Sequence, residues 1–141
     1  MTAAFDRNAA LAAVKLTLVD AIARDYTNAL SIDCYAGSGE LAEWPPAPHR
    51  CHEQVARWLQ SHPGDTPVRG WLADGGDGAQ QRFVAHSLIR SASGALLDVA
   101  FARPPYVQRF IEHPAAAGDF LELVLGEPPV SELYVPIPCR S

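Results

Sequence analysis

Apolar residues recur along the first thirty positions with the period of a helix. Leu11, Val14, Leu18, Ile22 and Ala29 fall on one stripe, with Asp20, Arg24 and Asp25 off it, which predicts a long helix over residues 5–30. Alanine enrichment in the same stretch supports it. Residues 36–48, AGSGELAEWPPAP, break the pattern with two glycines and with Pro45, Pro46 and Pro48, and read as a connector. Helical spacing returns over residues 50–61, where Cys51, Val55 and Leu59 share a face with Trp58, and ends before Pro63-Gly64.

Beyond Gly64 the period shortens. Val68–Leu72 is a strand candidate, and residues 73–80, ADGGDGAQ, are expected to form a flexible loop. Phe83–Arg90 and Ala95–Phe101 read as strands around a tight turn at residues 91–94. Residues 103–119 hold Arg103-Pro104-Pro105 and His113-Pro114, so loop is expected there, with one helical turn near Val107–Ile111. Phe120–Leu125 and Glu132–Val135 are further strand candidates, although 119–125 also suits a helix. Two helices followed by a run of strands predict an α+β fold: N-terminal helices packed on a mostly antiparallel sheet. The 141 residues suit a single domain, and 48% hydrophobic residues suffice for a packed core.

Charge and cysteine content narrow the classes. The formal net charge is −5, with Lys15 the one lysine. There is no basic stripe for nucleic acid or an anionic membrane surface. No apolar run approaches the ~20 residues of a spanning helix, and the N-terminal residues are not expected to act as a secretory signal. Cys34, Cys51 and Cys139 are odd in number and widely spaced, without a CxxC pair. A disulfide framework is not expected, and a reducing, cytoplasmic setting is.

Cys51 admits three roles: a buried apolar plug, a metal ligand or a nucleophile. The plug follows from its place on the apolar face of the helix. A nucleophile gains more from the position, because unpaired N–H groups and the positive end of the helix dipole stabilise a thiolate and an oxyanion. A metal is the weakest fit. His49, Cys51 and His52 point in divergent directions from one helix and lack the spacing of a structural zinc site, so no metal or other cofactor is expected. The DGGDG stretch with Asp74 and Asp77 lacks the further ligands of a calcium loop and reads as solvated.

A thiolate needs a base and a group that orients it. His86, in FVAHSLI, and Asp98, in ALLDVAF, are polar intruders in apolar strands. Each also has a structural account, as a core histidine and as the acceptor it requires. Hairpin register decides whether they meet. A two-residue loop pairs Ser91 with Gly94 and sets Asp98 on the wrong face. A three-residue loop, Ala92-Ser93-Gly94, pairs Ser91 with Ala95, sets His86 opposite Ala100 and makes Asp98 its same-face diagonal neighbour. Glycine at the last loop position favours the second register.

The stretch CHEQVARWLQSHPGDTPVRGWL, followed by FVAHSLIRSASGALLDVAF, resembles the core of the transglutaminase-like branch of the papain-like cysteine-protease superfamily. The resemblance spans roughly residues 44–101. It implies a papain-like fold with Cys51 as nucleophile, His86 as base and Asp98 as orienting group, and hydrolysis or acyl transfer on a peptide or a small amide or ester. A cleft between helix tip and hairpin is expected to have Trp44, His49 and Trp71 as wall residues. The Cys51 backbone N–H is expected to serve the oxyanion, with the Trp44 indole or Ser38 as second donor. The alternative on the same scaffold is a catalytically inactive module that binds a protein partner, with the three residues kept as a hydrogen-bonded remnant.

Overall fold

The computed structural model describes residues 7–35, 51–77, 79–100, 104 and 107–136. They form an α+β fold with three α-helices, α1 (Arg7–Asp25), α2 (Cys51–Ser61) and α3 (Phe120–Val124). The strands are β1 (Leu30–Ser31), β2 (Cys34–Tyr35), β3 (Thr66–Gly76), β4 (Gln80–Arg90), β5 (Leu96–Asp98), β6 (Arg109–Glu112) and β7 (Glu132–Pro136). All seven strands join one mixed sheet in the order β1-β6-β3-β4-β5-β2, with β7 also on β4. Every pairing is antiparallel except β2 with β5. No helix among the described residues is long and apolar enough to cross a membrane.

Strand alternation divides the core between two faces. On one, Leu18 and Ile22 of α1 pack on Trp71, Phe83, Leu133 and Val135, and Val55 and Trp58 of α2 pack on Ile89 and Val99. On the other, Val68, Leu72, Leu88, Leu96 and Phe110 enclose Ile32. Gly70 lets β6 close against β3. A Cβ there would stand 2.2 Å from the Ile111 carbonyl oxygen and 2.7 Å from the Phe110 ring.

Several boundaries differ from the sequence expectation. The N-terminal helix ends at Asp25 and a 3-10 turn, Tyr26–Asn28, leads the chain into β1. The expected loop over 73–80 is mostly strand: β3 runs to Gly76 with a register shift after Ala73, and the turn is confined to the residues that follow. Asp77 closes it by accepting from the backbone N–H groups of Ala79 and Gln80, at 2.8 and 2.9 Å. Those bonds hold its carboxyl below the usual aspartate range. The segment expected to make a helical turn near Val107–Ile111 is instead the strand β6, stitched between β1 and β3. Residues 120–124 take the helical alternative, capped by the Asp119 carboxylate on the Glu122 N–H.

Candidate active site

β4 holds the centre of the site. Its whole length pairs with β3 on one edge. On the other edge β7 covers Gln80–Val84 and β5 covers Ile89–Arg90. Between them, among the described residues, Ala85–Leu88 carries no strand partner on that side, and the Ala85 N–H is satisfied by the Ser131 carbonyl at 2.9 Å. The tip of α2 enters at this gap. Val55 and Trp58 seat the helix on Ile89 and Val99, which brings its first residue, Cys51, to the opening with 4% of its surface exposed.

The hairpin supplies the imidazole and the carboxylate. Ser91 N–H donates to the Ala95 carbonyl at 2.9 Å and Gly94 has φ +92°, so the three-residue loop forms. Arg90 and Ile89 accordingly pair with Leu96 and Leu97. His86 and Asp98 therefore project from the same face, and His86 Nε2 meets the Asp98 carboxylate at 2.8 Å, with 1% and 0% of the two side chains exposed. The other carboxylate oxygen accepts from the Ala100 N–H at 2.7 Å. Nε2 being occupied, Nδ1 is the ring nitrogen left for the Cys51 thiol, and His86 lies close enough to Cys51 for each to shift the other's charge state.

The sulfur lies between two imidazoles. His86 approaches from the Asp98 face of the sheet. His52 approaches from the other, with Nδ1 3.6 Å and Nε2 3.9 Å from Sγ. Burial opposes a charge on Cys51. The hydrogen bond from His52, that from His86 and the charge of His86 outweigh it and bring the thiol from 9.0 down to about 6. Burial likewise opposes a charged His86. The hydrogen bonds to Asp98 and Cys51, and attraction to both anions, outweigh it and raise the imidazole from 6.5 to about 9. Between those values the stable form is thiolate beside imidazolium.

A cleft of about 450 Å³ opens over this pair. Cys51, His52 and His86 form its floor, and Val84, Val124 and Leu125 give it an apolar wall. Arg82 stands at the rim between Glu132, at 2.8 Å, and Asp74, at 3.5 Å. Comparison with protein-family models, with curated proteins and with solved structures returned no match. The site therefore rests on its own chemistry.

Of the residues predicted from sequence, Cys51, His86 and Asp98 converge. Trp71 does not line the cleft. Its side chain is fully buried among Leu18, Ile22 and Phe83, and its indole N–H donates to His113 Nδ1 at 3.0 Å. The VRGW stretch alternates, so Val68 and Trp71 take opposite faces, and the larger core claims the indole. Trp44, His49, Ser38 and Cys139 lie outside the described residues. Cys34 is an exposed free thiol, whereas Cys51 is buried. Among the described residues no three His, Cys, Asp or Glu side chains gather to hold a metal ion.

Sequence reasoning weighed His52 as a metal ligand and gave it no catalytic role. Its partners explain the omission. Nδ1 is hydrogen-bonded to the hydroxyl of Ser87, thirty-five residues away, and the ring meets Phe120 edge-on at 5.6 Å. Neither partner is predictable from spacing. The one available signal was the adjacency of two potential proton carriers, Cys51 and His52.

Proposed function

We propose that this protein is a cysteine-dependent acyl-transfer enzyme of the transglutaminase-like type, acting on the amide or ester carbonyl of a peptide or small molecule. Cys51 is the nucleophile, His86 the proton carrier and Asp98 the group that orients and charges the imidazole. The observation that carries this reading is the buried thiol beside a histidine whose far nitrogen is held by a wholly buried carboxylate at 2.8 Å.

In the acylation step the thiolate pair forms a C–S bond and the carbonyl π pair moves onto oxygen. Collapse of the adduct breaks the bond to the amine or alcohol, which leaves with the proton of His86. Water or an acceptor amine then attacks the thioester, gives its proton to the now neutral His86 and restores the thiolate. Asp98 keeps the imidazole in one tautomer and stabilises its charged form. The Cys51 N–H, in the first turn of α2, would serve the oxyanion. A reducing, cytoplasmic setting, expected from the cysteine pattern, would keep the thiol free.

Para-nitrophenyl acetate tests this reading, with adducts located by peptide mass spectrometry. Acetylation is expected on Cys51 well before Cys34, and Cys51→Ser or His86→Ala should abolish that preference. Equal, slow labelling of Cys34 and Cys51 would reject the enzyme and leave the protein-binding module.

A further inference from the structure

The three residues of the proposed mechanism leave the second imidazole unassigned. His52 lines the cleft floor, with both ring nitrogens within 3.9 Å of the Cys51 sulfur. Behind it runs a chain of donors. Arg69 and Ser87 stand opposite each other on β3 and β4, and Arg69 Nη1 donates to the Ser87 hydroxyl oxygen at 3.0 Å. The same hydroxyl is hydrogen-bonded to His52 Nδ1.

Polarity follows from that order. A guanidinium can only donate, so it takes one lone pair of the Ser87 oxygen and leaves the hydroxyl proton available to His52 Nδ1. With the hydroxyl proton on that side, Nδ1 accepts and Nε2 carries a ring proton. The edge-on Phe120 ring, at 76° to the imidazole, limits rotation of the ring. His86 has the opposite arrangement, with an anionic acceptor behind it at 2.8 Å. One sulfur is thus flanked by a proton carrier and by a second ring whose Nε2–H can donate.

We propose that His52 Nε2–H is the second oxyanion donor of the acyl-transfer site, working beside the Cys51 backbone N–H. The assignment rests on the acyl-transfer reading above. As the thiolate closes on the carbonyl carbon and the π pair moves to oxygen, His52 keeps its proton and donates a hydrogen bond to the new oxyanion. The oxyanion forms one bond from the carbon that joins the sulfur, so a donor 3.9 Å from Sγ needs only a small shift to reach it.

Two reagents separate this role from help to the thiolate. Attack on para-nitrophenyl acetate passes through an oxyanion, whereas alkylation by iodoacetamide does not. Both rates are read at their high-pH plateaus, where the thiol is ionised in every variant. His52→Ala is expected to lower the acylation plateau about 100-fold, the usual cost of losing one such donor, and to leave the alkylation plateau within about threefold. His52→Gln, whose amide also donates, should fall between the two. His52→Phe keeps the packing on Phe120 and gives the same comparison if the alanine variant does not fold. A parallel fall in both rates, or an unchanged acylation rate, overturns the role. Unchanged acylation that still requires His86 sinks this inference alone. Failure of the wild-type Cys51 to take an acetyl group sinks the acyl-transfer reading and this inference with it.

Discussion

Asp98→Asn isolates the electrostatic part of the site. The change keeps the side-chain volume and removes one buried charge. The asparagine oxygen is committed to the Ala100 N–H, which lies 2.7 Å from one carboxylate oxygen in the native protein. The amide NH2 then faces His86 Nε2. A donor there turns Nε2 into an acceptor, so the imidazole becomes neutral with its proton on Nδ1. Burial, no longer opposed by the carboxylate, pushes His86 down from about 9. Cys51 loses its cationic neighbour and rises from about 6 towards the free-thiol range. The His52 hydrogen bond remains, so the return is partial; a move of the thiol to about 7.5 lowers the thiolate fraction at pH 7 from roughly nine-tenths to roughly a quarter. Each remaining thiolate is more nucleophilic because it is more basic, so the rate at that pH falls by less than the fraction does. The midpoint of the pH profile is therefore the quantity to measure. Iodoacetamide alkylation of Cys51, followed by mass spectrometry with Cys34 as internal control, should give a midpoint near 6 in the wild type and one raised by about one unit or more in Asp98→Asn, where the His52 hydrogen bond remains. A midpoint left near 6 in the variant would refute the claim that Asp98 charges the His86–Cys51 pair.

Stability should follow the same pair. His86 is raised in the folded protein, so its contribution is lost as pH climbs through about 9. Cys51 is lowered, so its contribution is lost as pH drops through about 6. Urea unfolding should thus show an excess stability of wild type over Cys51→Ala between those values, with a ceiling of about 4 kcal/mol set by the thiol's displacement from 9.0 to about 6. An excess that does not change from pH 5 to pH 10 would contradict it. Gly70→Ala should cost about 3 kcal/mol or more, because the new methyl meets backbone of β6 at 2.2 Å and β6 must part from β3. A urea midpoint within error of wild type would show that β6 yields without loss of pairing.

Much of the chemistry was legible in short stretches. The helical period and the proline-glycine stop mark α2, and it spans Cys51–Ser61 as the pattern suggests. Ser91-Ala92-Ser93-Gly94 carries its own register, because the left-handed position needs glycine and the loop length then decides which residues face each other. The pairing of His86 with Asp98, twelve residues apart, follows from that turn alone. Local backbone chemistry acts over a few residues and is written where it acts.

The remainder was decided by burial between distant segments. Residues 109–112 have no clean alternation, since Phe110 and Ile111 enter the cores on opposite faces, and only pairing with β1 and β3 makes them a strand. Trp71 was sent inward because α1 supplies the larger apolar surface on its side of the sheet. Cys51 reaches His86 because Val55 and Trp58 lodge on Ile89 and Val99, next to the stretch of β4 that neither β5 nor β7 covers. His52 gains a hydrogen-bond partner in Ser87, itself bonded to Arg69 on the neighbouring strand, and a ring contact from Phe120 on a third segment. A sequence records which groups can carry protons. Which of them share one sulfur depends on how apolar faces distribute across both sides of a sheet, a sum over the whole chain that no local window contains.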